Sequence, residues 1–244
     1  MNRVIILVTF WFVMVPALVS PAIDAVDART SETNMQSVRF VRCFQDTELS
    51  ESLATLKLHE GAEVARVYES LRTKAKTSPG CRTEIIEALI RGLEQASKDT
   101  TNQNEKYFFW ENGASLLGEL NATEALDLLI ANIDLTDGWS ASISQSHFPA
   151  LTAIIRIGAP AIPKLQVVVG NDSVPYRRKF AAFCIAYIGG DRAKRALTSA
   201  VSGETDPCVK NFLRLSLQAF DNRAKPNHIS SALNGKWLSA FYCL

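Results

Sequence analysis

The sequence predicts an all-α protein made of stacked helix pairs. Three observations carry that expectation. Apolar residues recur with a helical period from residue 50 onward. A unit of apolar helix, aliphatic residue, glycine, short turn and second helix comes three times. Small residues (Ala114, Ala153, Ala181, Ala182) sit on the first helix of each unit, where they let neighbouring helices approach.

The chain has 244 residues, 26 Lys+Arg against 25 Asp+Glu, and 47% apolar residues. That apolar fraction excludes wholesale disorder. The near balance of charge excludes a protein organised around one dominant basic field, so no nucleic-acid partner is expected.

Residues 1–22 read as a secretory signal. Arg3 is the charge of the leading region, and Val4 to Val15 is apolar apart from Thr9. Pro16 breaks the helix, and Ser20-Pro21-Ala22 offers small residues where a signal peptidase looks; a second cut fits after Ala25. A run of about a dozen residues is too short for a bilayer core of about 30 Å, which needs about 20 residues. Later stretches are interrupted by charges, so no membrane span is expected in the processed chain. Cleavage after Ala22 removes Arg3 and leaves 25 charges of each sign. The expected location is periplasmic or extracellular.

Residues 23–49 read as a flexible leader, small and polar through Gln36. Within it, Val38 to Phe44 fits a short strand or an early helix equally well. Residues 50–244 read as the helical body. Val64, Val67, Tyr68 and Leu71 form an i, i+3, i+4, i+7 stripe, Thr77-Ser78-Pro79-Gly80 is a turn, and Ile85, Ile86, Leu89, Ile90 and Leu93 share the face of a second helix. Ser97 to Asn104 is a polar linker.

The repeats follow. Around Gly118 the chain reads Gly-Ala-Ser-Leu-Leu-Gly-Glu-Leu-Asn-Ala-Thr-Glu-Ala-Leu. Around Gly158 it reads Leu-Thr-Ala-Ile-Ile-Arg-Ile-Gly-Ala-Pro-Ala-Ile-Pro-Lys-Leu, and around Gly189 Ala-Ala-Phe-Cys-Ile-Ala-Tyr-Ile-Gly-Gly-Asp-Arg-Ala-Lys-Arg-Ala-Leu. The glycines are 158 − 118 = 40 and 189 − 158 = 31 residues apart. The longer interval holds a serine-rich insertion, Asp134–His147. Each glycine is expected just past a helix end, in a left-handed conformation worth about 1 kcal/mol over a bulky residue. Pro160 and Pro163 suit the start of the next helix. One such pair cannot bury its own apolar stripe, and stacking several buries it continuously.

These motifs resemble the HEAT-like repeat family, in its short bacterial form named for phycobilisome lyases. The resemblance covers about residues 105–220, with a weaker unit at 61–97. Asp191 matches the family's turn aspartate, whereas Asn121 and Ala161 stand at or near that place elsewhere, and the units are uneven in length. The resemblance implies an α-solenoid of stacked antiparallel helix pairs. It does not imply lyase activity, because the repeat is a scaffold for many roles.

Chemistry-bearing groups are sparse. The histidines are His59, His147 and His228, none at metal-ligand spacing, and no Cys-x-x-Cys occurs. Neither a Gly-x-Ser-x-Gly elbow nor a phosphate loop is present. Ser144 and His147 are three residues apart, but nothing marks a third group to orient the histidine. No catalytic residue, metal or cofactor is expected.

The cysteines are candidate staples. Cys184 and Cys208 fall on the first helices of consecutive units, and a bridge there would close about 25 residues and contribute about 3 kcal/mol. Two buried thiols are the other reading. Cys43 with Cys81 would tie the leader to the first unit, and Cys243 is left either free or paired so as to change these assignments. The consecutive Tyr107-Phe108-Phe109-Trp110 cannot all face one core, which makes Tyr107 and Trp110 candidate partner contacts. Trp139, beside Gly138 in the insertion, either folds back or meets a partner. Arg177 and Arg178, with Lys179 and the group Arg192, Lys194 and Arg195, offer an anion-binding surface or a solvated face. Trp237, Leu238 and Phe241 suit a terminal cap. Asn121 and Asn171 stand in glycosylation sequons.

Together these readings predict an exported, non-catalytic HEAT-like scaffold whose partner is another protein. The alternatives are a lyase-like accessory that binds a small molecule, or a structural subunit of an envelope assembly.

Overall fold

The computed structural model describes residues 43–45, 47–136 and 147–221. All of them belong to the unit Phe40–Leu244. The predicted signal segment, the other unit, residues 38–42, Trp139, Ser144, His228, Trp237, Leu238, Phe241 and Cys243 lie outside the described residues.

The described chain is all-helical. Its α-helices are α1 (Glu48–Thr55), α2 (Ala62–Thr77), α3 (Pro79–Lys98), α4 (Gln103–Glu119), α5 (Leu126–Ala131), α6 (Pro149–Ile157), α7 (Ile162–Asn171), α8 (Pro175–Ile188), α9 (Gly190–Gly203) and α10 (Pro207–Asp221). Single 3-10 turns at Thr123–Ala125 and Ala159–Ala161 lead into α5 and α7. The polar linker is shorter than its composition predicts, because α3 runs to Lys98 and α4 starts at Gln103.

Local chemistry sets the helix starts. The Ser78 hydroxyl accepts the N–H of Cys81 and Pro79 opens α3, so the first turn has a side-chain acceptor and a residue with no N–H to satisfy. Asn102 caps α4 by accepting the N–H of Glu105. Proline also opens α6, α8 and α10. The Asp206 carboxylate accepts the N–H groups of Cys208 and Val209 at 2.8 and 3.0 Å, which caps α10.

The turn glycines behave in two ways. Gly158 and Gly189 end α6 and α8 with φ of 77° and 73°. Their ψ values, −139° and −169°, take them past the compact left-handed region into one that a Cβ closes. Gly118 is different. It lies inside α4, and a Cβ there would stand 3.0 Å from Ala153 Cα and 3.3 Å from Arg156 Cβ. It admits α6 against α4 and does not turn the chain. Asn121 does the turning, at φ 50°, a conformation its short polar side chain tolerates. The equivalent turn residues of the three units are therefore Asn121, Gly158 and Gly189.

Two sets of contacts organise the helices. Among the even-numbered helices, α2 packs on α4, α4 on α6, α6 on α8, and α8 on α10. Among the others, α5 packs on α7 and α7 on α9. The sets join where α2 meets α3, α3 meets α4, α5 meets α6, α7 meets α8, and α9 meets both α8 and α10. The core between them holds Leu89, Leu93, Leu116, Leu117, Leu129, Ile154, Leu165, Ile185, Leu197 and Phe212, all essentially without solvent contact. Ala114, Ala153, Ala181 and Ala182 are fully buried, as their size predicts.

Cysteine pairing agrees with one expectation and corrects the other. Cys43 is bonded to Cys81 with Cα atoms 5.1 Å apart, and the adjacent Phe44 is buried, so the folded body already includes residues 43 and 44. Cys184 is not joined to Cys208. It is a free thiol with no solvent contact, at the position of its unit that Ala153 and Leu116 fill in the other two. Cys208, at the start of α10, is itself disulfide-bonded, and not to Cys184. The two cysteines lie on adjacent helices, but Cys184 faces inward, with its sulfur 4.0 Å from the Leu151 carbonyl on α6.

A candidate interaction face on the even-numbered helices

The shared register of the three turns puts matching residues on successive helices. Ser115, Thr152 and Phe183 stand six residues before their turn residue, and Glu119, Arg156 and Tyr187 stand two before it. These pairs are one turn apart on α4, α6 and α8, so each pair shares a helix face. With Tyr68 and Arg72 on α2 they form a stripe across four helices that pack in succession.

The α2–α4–α6 part of the stripe is polar and cross-linked. The Tyr68 hydroxyl donates to Ser115 Oγ at 3.2 Å, and Arg156 donates to the same oxygen at 2.8 Å. Arg72 reaches Glu119 at 3.4 Å, and Arg156 approaches the same carboxylate at 3.7 Å. Arg72 also holds Glu69 through two bonds of 2.8 Å. Burial raises the Tyr68 hydroxyl above its ordinary value, the Ser115 bond opposes it, and the Glu119 charge adds to the rise. Two arginines therefore share one carboxylate, and Arg156 stays 44% exposed. On α8 the stripe becomes aromatic. The Phe183 and Tyr187 rings lie 4.6 Å apart at 30°, with Tyr187 at the surface.

The residues predicted as partner contacts fare differently. Trp110 and Phe109 are fully buried, so Trp110 is a core residue and not a surface anchor. Tyr107 and Phe108 are half-buried, with Phe108 edge-on to His59 at 4.6 Å. The basic run is not a solvated surface either. Arg177 bonds Asp172 at 2.8 Å, Asp134 at 2.9 Å and the carbonyls of Ile130 and Ala131. Arg178 grips Glu204 with two bonds of 2.8 and 3.1 Å and donates to the Asp172 carbonyl. Lys179 is 2% exposed. These cations join α8 to the turns around it. Arg192, Lys194 and Arg195 on α9 are exposed.

Between α7 and α9 lies a groove of about 400 Å³ lined by Gln166, Asn171, Asp172, Ser199 and Glu204. Both of its carboxylates are engaged by Arg177 and Arg178. Among the described residues no three His, Cys, Asp or Glu side chains are grouped to hold a metal ion. No single described helix is long and apolar enough to cross a membrane.

The stripe escaped sequence reasoning because its residues differ from unit to unit. Serine, threonine and phenylalanine at one register, or glutamate, arginine and tyrosine at the other, show no common motif. The signal that would find them is the position of Asn121, which aligns the first unit with the others three residues later than Gly118 does. Compared with known proteins, the chain matches no family model, no curated protein and no solved structure.

Proposed function

We propose that the chain is an exported protein-interaction scaffold, an α-solenoid of HEAT-like helix pairs whose even-numbered helices present one continuous recognition stripe. One observation supports this reading above the rest. Equivalent positions on α4, α6 and α8 fall in line and carry side chains suited to grip a partner, with Arg156 at the polar end and Tyr187 at the aromatic end. The Cys43–Cys81 bridge suits an oxidising compartment outside the cytoplasm. Trp139 remains a second candidate contact, on the insertion that separates two of the units.

The test is capture of partners from the exported fraction by the processed protein, repeated with Arg156→Glu plus Tyr187→Ala and, separately, with Trp139→Ala. A single protein retained by the parent and lost with the double variant, at unchanged melting temperature, supports the stripe. Loss with Trp139→Ala alone moves the contact to the insertion. A melting shift produced by small polar metabolites instead, abolished by blocking the α7–α9 groove with Ser199→Trp, replaces this reading with a small-molecule accessory role.

A further inference from the structure

The groove between α7 and α9 is open where packing would let it be filled. Gly170 and Gly203 both line it, at the ends of the two helices. A Cβ on either would meet nothing within 4 Å, and neither glycine has a positive φ. Alanine would fit at both positions and would favour the helices. What glycine adds there is room. The space of about 400 Å³ lies within the span of small-molecule sites, about 300–1,000 Å³. Its lining suits a neutral, polar occupant. Gln166, Asn171, Ser199 and Thr205 are exposed lining groups, and among the described residues their side chains have no hydrogen-bond partner. The charges beside them are already paired. Glu204 is gripped by Arg178 at 2.8 and 3.1 Å, and its Oε1 also accepts the N–H groups of Thr205 and Asp206. Asp172 gives one oxygen to Arg177 at 2.8 Å and the other to the N–H of Val174 at 2.9 Å. A charged ligand would have to break these pairs, and a neutral one would not. Val169, Ala196 and Ala200 form an aliphatic floor, and no aromatic ring lines the groove.

We propose that the α7–α9 groove binds one unit of a neutral saccharide. Sugar hydroxyls donate and accept at once, and so do the amides of Gln166 and Asn171 (through separate atoms) and the hydroxyls of Ser199 and Thr205. The C–H face of the ring suits the aliphatic floor. A nucleobase or another flat ring would find no stacking partner there. The unit is a free sugar or one residue of a glycan, since both present the same ring. The groove belongs to the α5, α7 and α9 set, and the recognition stripe to the even-numbered helices. Saccharide binding here is therefore independent of a protein partner there.

The test is titration of the folded processed protein with methyl glycosides of glucose, galactose and mannose, read by saturation-transfer NMR and by melting temperature. Saturable binding of at least one, with a Kd of about 1 mM, is expected. Gln166→Leu plus Asn171→Leu is expected to weaken it about tenfold. Gly170→Ala plus Gly203→Ala should hold or raise the melting temperature of the free protein and still weaken binding about fivefold, because the added methyls take the ligand's space. Where the first double variant lowers the melting temperature, the second decides. Tighter binding of a neutral oligosaccharide of the same sugar marks a glycan as the source, and equal binding marks the free sugar; either supports the site. Partner capture is read separately, so saccharide binding with capture retained leaves both sites standing. The proposal is overturned when no glycoside and no neutral oligosaccharide binds, or when Gly170→Ala plus Gly203→Ala binds as its parent does. It is also overturned when glucuronate, glucosamine or N-acetylalanine amide binds as tightly as the best glycoside.

Discussion

The junction of α4 with α6 and the junction of α8 with α10 hold equivalent helices together by different means. At the first, Gly118 lets the backbone of Ala153 come so close that a Cβ would meet its Cα at 3.0 Å. The residues around it, Leu116, Leu117, Ile154 and Ile157, are apolar and buried. The second has an apolar floor too, in Ala181, Ile185, Val209 and Phe212. Above that floor it adds a buried lysine, and Arg178 clamps Glu204 on the approach to α10. The first junction carries its charge at the rim, where Arg156 of α6 meets Ser115 and Glu119 of α4 and stays 44% exposed, whereas the second draws its paired charge largely out of water. The two contacts between successive even-numbered helices thus differ in how deeply their charges lie.

Removing one member of the charge pair tests this contrast most strongly. Arg178 and Glu204 are 12% and 7% exposed, so Glu204→Ala strands a guanidinium that is largely out of water. The expected loss is about 3 kcal/mol in denaturant melts. A loss below about 1 kcal/mol would class the pair with ordinary surface bridges and erase the distinction between the junctions.

Overpacking probes the other junction. Gly118→Val should cost about 2 kcal/mol, because the added methyls meet backbone and not a flexible side-chain end. An unchanged midpoint would show that α6 slides away freely, and that the close approach of α4 is incidental.

The turns sharpen the comparison at smaller amplitude. Gly158→Ala forces a Cβ into a region reserved for glycine and should lose about 1.5 kcal/mol. Asn121→Ala should lose about 1 kcal/mol, since φ 50° is the milder left-handed region. Equal losses would remove the case for two kinds of turn.

Tyr68 gives the finest probe of the α2–α4 contact. Its raised value means that the folded state keeps the phenolic proton where an unfolded tyrosine has lost it. Stability is therefore unaffected below the ordinary tyrosine range and falls as pH rises through that range, until the folded hydroxyl ionises as well. Absorbance titration should find a late-titrating tyrosine that Tyr68→Phe removes, together with a flatter alkaline limb of the melting curve.

The helices and their repeated turns were legible in the sequence, because period and glycine placement are local properties. What failed were features in which one residue type serves two purposes. Gly118 looked like a turn glycine, and its structural role is to lack a side chain in front of Ala153. Trp110 looked like an anchor because four consecutive aromatics cannot share a face, yet the outward share falls to Tyr107 and Phe108. Arg177 and Arg178 looked open to an anionic partner or to solvent because Asp134 is 43 residues from Arg177 and Glu204 is 26 from Arg178, separations no local pattern encodes. The stripe across α2, α4, α6 and α8 was invisible for the related reason that it is defined by register and not by residue type.

The Cys43–Cys81 bridge spans 38 residues, and α1 and α2 lie wholly within that span. These two helices are thus beads on a covalent ring. A protease that nicks the exposed Leu58–Gly61 segment between them opens the ring but releases nothing, since both new ends remain tied through sulfur. Outside the reducing cell, such a nick would pass unseen on a non-reducing gel and appear only when thiol is added.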